Sequence, residues 1–378
     1  MMLNFEEQLE KYAELIVKVG VNVKENQTVV LSINTEQVAL ARLITKYAYQ
    51  AGAKEVIVKW SDDVINRLFI EQASDLETIQ PSFILENEEL LKAKASWINV
   101  VSSNPAALLG VDSQRIKRRQ QALGKALESK RHATQNNDVS WTVVAAASSE
   151  WGQAVFPDDD LSTATNKLWQ AIFTSTRVDQ ADPLIAWQAH DDFLAKQAKK
   201  LNTYQFDALH YKSPGTDLTI GLPQGHLWEG AGAINRQGEH FMPNMPTEEV
   251  FTAPDFRRVD GYITSTKPLS YAGVIIDKMK FTFKDGAIVD CSAEHGEAVL
   301  RDLISTDEGS KYLGEVALVP DKSPISQSGI TFFNTLFDEN ASNHLAIGSA
   351  YSFSIKGGTK MTDQELAARG LNRSQVHV

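Results

Sequence analysis

The chain opens on an amphipathic pattern. Between residues 5 and 19, apolar side chains fall at Leu9, Tyr12, Ala13, Leu15, Ile16 and Val19, a helical spacing that Gly20 ends. The apolar run 27–33 then reads as a buried strand, 38–49 return to helical spacing, and 55–60 predict a second strand, completing a β-α-β unit. The alternation continues through helices at 63–72 and 86–94, a strand at 96–102, a long helix from Asp112 to about Lys130, and a strand at 140–147. Strands alternating with helices predict a mostly parallel sheet covered by helices. Residues 1–203 are therefore expected to form a doubly wound α/β domain. Helical spacing at 161–173 and 182–201 follows, and Ser175 to Asp179 between them reads as the hinge between domains.

From Phe206 the texture changes to short β-type runs at 208–211, 218–221, 261–265, 274–276 and 280–283. Asp285-Gly286 predicts a tight hairpin, because the pair readily supplies the positive φ angles of a primed turn. Helical spacing returns at 294–304 and 307–313. Residues 204–378 are thus expected to form a strand-rich α+β domain. The glycine-dense stretch 225–232 reads as a loop passing close to other backbone.

Composition narrows the function mainly by exclusion. A net charge of −11 argues against a nucleic-acid partner, and the one dense basic run, Arg115 to Arg119, reads as the solvated face of a helix. A single cysteine, Cys291, fits a small buried residue in a reducing compartment. No stretch approaches the roughly 20 apolar residues of a membrane span, and the acidic start does not resemble a signal peptide, so a soluble cytoplasmic protein without a membrane partner is expected. No glycine fingerprint for a nucleotide follows any strand of the first half.

The candidate chemistry lies in the second half. In the stretch 244–252, Glu248 and Glu249 sit side by side after Pro246. On an extended segment they point to opposite faces, so only one can enter a given pocket, and the pattern does not say which. Glu315 leads an apolar run, His344 and Tyr351 stand in small apolar surroundings, and His377 lies near the end of the sequence. Without thiolates, carboxylates and imidazoles are the donors for a divalent ion. Taken singly, each also has a plainer reading: a solvated strand end, a core histidine, a core aromatic, an exposed terminal residue.

Taken together, the order Pro-Thr-Glu-Glu-Val-Phe-Thr, Leu-Gly-Glu-Val-Ala-Leu-Val-Pro, Asn-His-Leu-Ala-Ile-Gly-Ser-Ala-Tyr and Asn-Arg-Ser-Gln-Val-His resembles the aminopeptidase T and aminopeptidase S family of metallopeptidases. Ser265 to Tyr271 and Thr306 to Gly309 are also similar to that family. The resemblance implies two divalent ions, zinc or cobalt, held by two glutamates, two histidines and an aspartate beside a tyrosine. Position by position it implies Glu249, Glu315, His344 and His377 as metal ligands, with Glu315 bridging and Tyr351 catalytic. Glu249 becomes the inward carboxylate and Glu248 the outward one. The implied reaction removes the first residue of a peptide with a free N-terminus by a metal-bound hydroxide, in a homodimer. In the family an aspartate follows the His-Val pair. The sequence ends at Val378, and reduced metal loading is expected of a chain with that terminus. Two readings from other classes compete: a small-molecule or nucleotide-binding protein built on the first sheet, and a non-catalytic relative.

Overall fold

The computed structural model describes residues 4–378. The first helix, Phe5–Leu15, is closed by a reciprocal cap in which the Asn4 side chain accepts from the Glu7 N–H and Glu7 reaches back to the Asn4 N–H. Its apolar face packs on a sheet of five parallel strands. In space these run Glu55–Ser61, Thr28–Asn34, Ser96–Val101, Trp141–Ala145 and Asn244–Met245. Four of them are the predicted β-α-β succession. The fifth arrives from the second half of the chain, and Met242, Met245, Phe332 and Phe337 join Leu31, Ile98, Trp151 and Trp187 in one core.

Sheets with this strand order bind ligands in the crevice where the chain's winding reverses, here between Thr28–Asn34 and Ser96–Val101. A side chain of the protein crosses the ends of these strands. The buried Gln37 amide donates to Ser102 Oγ at 2.9 Å and to the Ala147 carbonyl at 2.8 Å.

Several local expectations change. The helix expected from Asp112 to Lys130 breaks at Leu127 into Ser113–Ala126 and Glu128–Gln135, just beyond Gly124, a poor helix former. The helix expected at 86–94 is Pro81–Lys92, with proline in its first turn, where a missing N–H costs nothing. The basic run is a clamp as well as a solvated face. Arg115 donates to the Ile70 and Ala73 carbonyls, both at 2.6 Å, and Arg119 lies 4.8 Å over the Phe69 ring, so the carbonyl end of helix Asp63–Gln72 is tied down. Residues 175–179, expected to join the two domains, form a packed turn: Val178 is buried, Arg177 has φ of +61°, and the Thr176 carbonyl accepts from Trp187 Nε1 at 2.7 Å.

The second half builds an antiparallel sheet in the order Ala287–Ser292, Lys280–Lys284, Val259–Thr264, Thr216–Gly221, Ala208–Ser213. Asp285 and Gly286, with φ of 49° and 88°, turn the hairpin as expected. The expected helix at 307–313 is a single 3-10 turn, Glu308–Lys311, and Cys291 is buried. Leu218, Ile220, Leu300 and Val316 form a second core between this sheet and a smaller one described below. Among the described residues, no helix is long and apolar enough to cross a membrane.

Candidate metal centre

The smaller sheet carries the candidate ligands. Its central strand, Leu313–Leu318, pairs antiparallel with Val250–Thr252 on one side and His344–Ile347 on the other. Val250 opposes Leu318 and His344 opposes Ala317. With a two-residue side-chain period, that register puts Glu249, Glu315 and His344 on one face, while Val250 and Val316 point into the second core. The central strand can lie this deep because Gly314 leaves room: a Cβ there would stand 2.4 Å from the Ser349 carbonyl oxygen.

Glu249 Oε2 lies 2.9 Å from His344 Nε2, and Glu315 Oε1 lies 3.6 Å from the same nitrogen. One ligand atom from each of the three residues falls within 4.8 Å of the other two. Glu249 Oε2 and His344 Nε2 are buried and face one another, yet neither completes a hydrogen bond. His344 Nδ1 faces the Ser342 carbonyl oxygen at 3.3 Å. Donation there leaves Nε2 as the lone-pair nitrogen toward the carboxylates, the arrangement a metal-ligating imidazole takes. Burial opposes a charge on His344, but Glu249, followed by Glu315 and Glu339, holds its pKa well above the ordinary histidine value. The pocket favours a positive charge at this point, which a proton or a metal ion can supply. The donor set fits a hard or borderline divalent cation.

His377 arrives on the chain's last residues. Segment 376–378 pairs with 347–349 through Ile347 N–H to the Val378 carbonyl at 2.6 Å and Ser349 N–H to the Val376 carbonyl at 2.7 Å. Gly348 permits this approach, having φ of +105° and a Cβ position only 2.2 Å from the Val376 oxygen. Asp307, in the Thr306 to Gly309 motif, anchors the same segment by accepting the Gln375 N–H and the Ser374 hydroxyl. His377 Nδ1 lies 2.7 Å from the Ser349 carbonyl oxygen, and Nε2 stands 3.7 Å from Glu315 Oε2. His377 is therefore beside the three-residue group, not within it. The two oxygens of Glu315 face different histidines, Oε1 toward His344 and Oε2 toward His377.

Tyr351 is stacked on Phe353 with ring centroids 5.0 Å apart, and lies 4.7 Å from the His377 ring. Burial, then the charges of Glu315, Glu339 and Glu249, raises its pKa well above the usual phenol value, so the hydroxyl stays a donor. Glu248 corrects the sequence-based expectation. It points away from Glu249, but into protein, at 3% exposure and 2.8 Å from Arg177 Nη2, because the segment is buried on both sides.

Glu339 is the residue that sequence reasoning missed. Burial, followed by the Glu249 charge, pushes its carboxyl up to about 8, and Glu315 adds to the effect. Its position five residues before His344, in the same run of small and polar residues, was the available signal. His344 and Glu339 open on a cavity of about 390 Å³ whose walls include Phe281, Phe283, Leu300 and Leu313. A larger cleft of about 560 Å³, between helix Leu161–Ser175 and residues 324–330, has no carboxylate or histidine in its lining. Volume alone does not pick out the chemistry.

The sequence profile described as thermophilic metalloprotease (M29) matches residues 5–378. The chain belongs to the M29 metalloprotease family. This M29 chain is 57% identical to aminopeptidase PepS of Streptococcus thermophilus, over 99% of its own length and 92% of that protein. It is 52% identical to aminopeptidase AmpS of Bacillus subtilis (strain 168), over 100% of its length and 92% of the relative. Its fold matches the solved structure of wild-type AmpT from Thermus thermophilus with a TM-score of 0.90 at 38% identity, covering 99% of this chain and 92% of that one. The M29 protein is a metalloaminopeptidase, a hydrolase that depends on a divalent metal and acts on peptides.

Proposed function

We propose that the protein removes the N-terminal residue of peptides at a dinuclear zinc or cobalt centre held by Glu249, Glu315, His344 and His377, with Glu339 as a further carboxylate at the same place. The observation that carries this reading is the convergence of Glu249, Glu315 and His344 within 4.8 Å, with two of their buried ligand atoms unpartnered. The split engagement of Glu315, one oxygen toward each histidine, supports it as the ligand shared by two ions.

Bound divalent metal supplies an activated water and polarises the scissile carbonyl. The chain's own groups hold and orient. The Tyr351 hydroxyl, kept protonated, donates a hydrogen bond to the oxygen on which negative charge develops. Restriction to the first residue would come from the substrate's free α-amine, a nitrogen donor that the proposed metal centre would hold. The 390 Å³ cavity beside His344 has the apolar walls and the size to take a substrate side chain.

Leucine release from a short peptide, followed with and without chelator and then in Glu315→Gln, tests the assignment. Release should stop with chelator, return on adding zinc or cobalt, and be absent in the variant. Chelator-resistant release would sink it. The division into domains at 203 and 204, a cytoplasmic location and a homodimeric state belong to the same proposal. The lone buried Cys291 supports the compartment, and the family resemblance supports the dimer. A clean monomer by light scattering would remove the dimer.

A further inference from the structure

The Glu248-Glu249 pair leaves one carboxylate outside the chemistry above, and its surroundings are unusually ordered. Glu248 Oε1 lies 2.8 Å from Arg177 Nη2, and the same guanidinium nitrogen is 3.0 Å from His190 Nδ1. His190 Nε2 is 2.7 Å from the Thr247 carbonyl oxygen. A carbonyl only accepts and a guanidinium only donates, so the ring carries its proton on Nε2 and is neutral. Burial, then the Arg177 charge, agrees with this by pulling the His190 pKa down to about 4. The Arg177 guanidinium also lies 5.2 Å from the Trp187 ring, and Trp187 is fully buried.

A second tether reaches the same backbone from the opposite side. The Glu248 N–H donates to Asn340 Oδ1 at 2.7 Å. Asn340 is held in turn by its Nδ2 on the Leu336 carbonyl and by Ser323 Oγ donating to its own carbonyl. Asn340 follows Glu339 directly and precedes His344 by four residues. Residues 247–248 are thus fixed both to helix Pro183–Tyr204 and to the segment that carries Glu339 and His344. Glu249 is the next residue.

We infer that Arg177, His190 and Glu248 form a positioning network that sets the separation of Glu249 from His344, with Asn340 as its link to the histidine side. The inference rests on the reading of Glu249 and His344 as metal ligands. On an extended segment Glu248 and Glu249 are turned to opposite faces, so holding one carboxylate by its ion pair with Arg177 restrains the rotation of the other. None of the three residues belongs to the Glu249, Glu315 and His344 group.

The test measures cobalt(II) binding to the metal-free protein by visible absorption, which reports both affinity and ligand geometry, alongside kcat and KM. Four chains are compared: parent, Glu249→Ala, Glu248→Gln and Arg177→Lys. Glu248→Gln keeps the shape and removes the charge. Its cobalt affinity should fall roughly 10- to 100-fold with an altered absorption band, as when partners behind metal ligands are lost, and kcat should fall while KM stays near the parent value. Arg177→Lys, which keeps the charge but not the fork, should lie between the parent and Glu248→Gln. Arg177→Lys also serves as the measurement if Glu248→Gln does not fold. A folded Glu248→Gln or Arg177→Lys with parental affinity and spectrum, while Glu249→Ala loses cobalt, overturns the network and leaves the metal site standing. Unchanged binding in Glu249→Ala overturns the metal-site reading and the network with it.

Discussion

Two clusters back onto one another across a single peptide bond. Both contain glutamate and histidine, and they have opposite charge balances. Around Glu248 the protein supplies its own cation, Arg177, and the neighbouring His190 is driven neutral, with a pKa near 4. Around Glu249 three carboxylates gather with, among the described residues, no lysine or arginine paired to them, and His344 is held well above its ordinary pKa. The buried Glu248 carboxylate has its counter-charge within the protein, in the Arg177 guanidinium. A group of carboxylates that raises the pKa of its histidine and of a neighbouring acid favours positive charge at that point. What separates the two clusters is whether the protein supplies the cation, more than the residue types.

That contrast can be broken experimentally. The largest effect is expected from Glu315→Gln, whose two oxygens face both histidines. Activity should fall by more than the roughly 100-fold typical of residues behind the ligands, and metal content by elemental analysis should fall with it. Retention of both would place the chemistry elsewhere. Tyr351→Phe should lower kcat by about 3 kcal/mol worth of barrier, the typical cost of losing one oxyanion donor, with metal content unchanged. Unchanged turnover would remove the tyrosine from the mechanism.

On the other side of the peptide bond, Arg177→Met leaves Glu248 buried and unpaired. Chemical denaturation should show a loss of roughly 3 kcal/mol, while Arg177→Met combined with Glu248→Leu should recover much of it, since the uncharged pair needs no partner. The smallest effect concerns pH. His190 binds its proton more weakly folded than unfolded, so its contribution is complete above about pH 6.5 and is lost as pH falls toward 4, by at most roughly 3 kcal/mol. The difference in urea midpoint between the parent and His190→Gln should shrink over that interval. A pH-independent difference would mean that the ring is not neutral in the fold.

Much of this was legible in the residues. The first four parallel strands followed from apolar runs separated by helical spacing, and the Asp285-Gly286 hairpin from its turn chemistry. Four motifs far apart in the chain named Glu249, Glu315, His344, His377 and Tyr351. Glu339 escaped, because nothing local distinguishes it from a solvated glutamate. Its raised pKa arises from burial and from Glu249, which is brought close only by folding.

The fate of the Glu248-Glu249 pair marks the boundary between the two kinds of information. The sequence determined that the two side chains diverge, because alternation is a property of any extended segment. Which face would be neutral and which would call for a cation depended on where Arg177 and His190 came to rest. They lie on a turn and a helix that no local pattern pairs with residue 248. That Glu249, Glu315 and His344 share one face was likewise decided by strand register around Leu313–Leu318, a property of three strands together. Periodicity is local and survives in the sequence. Electrostatic balance is summed over neighbours, and only the tertiary structure says who the neighbours are.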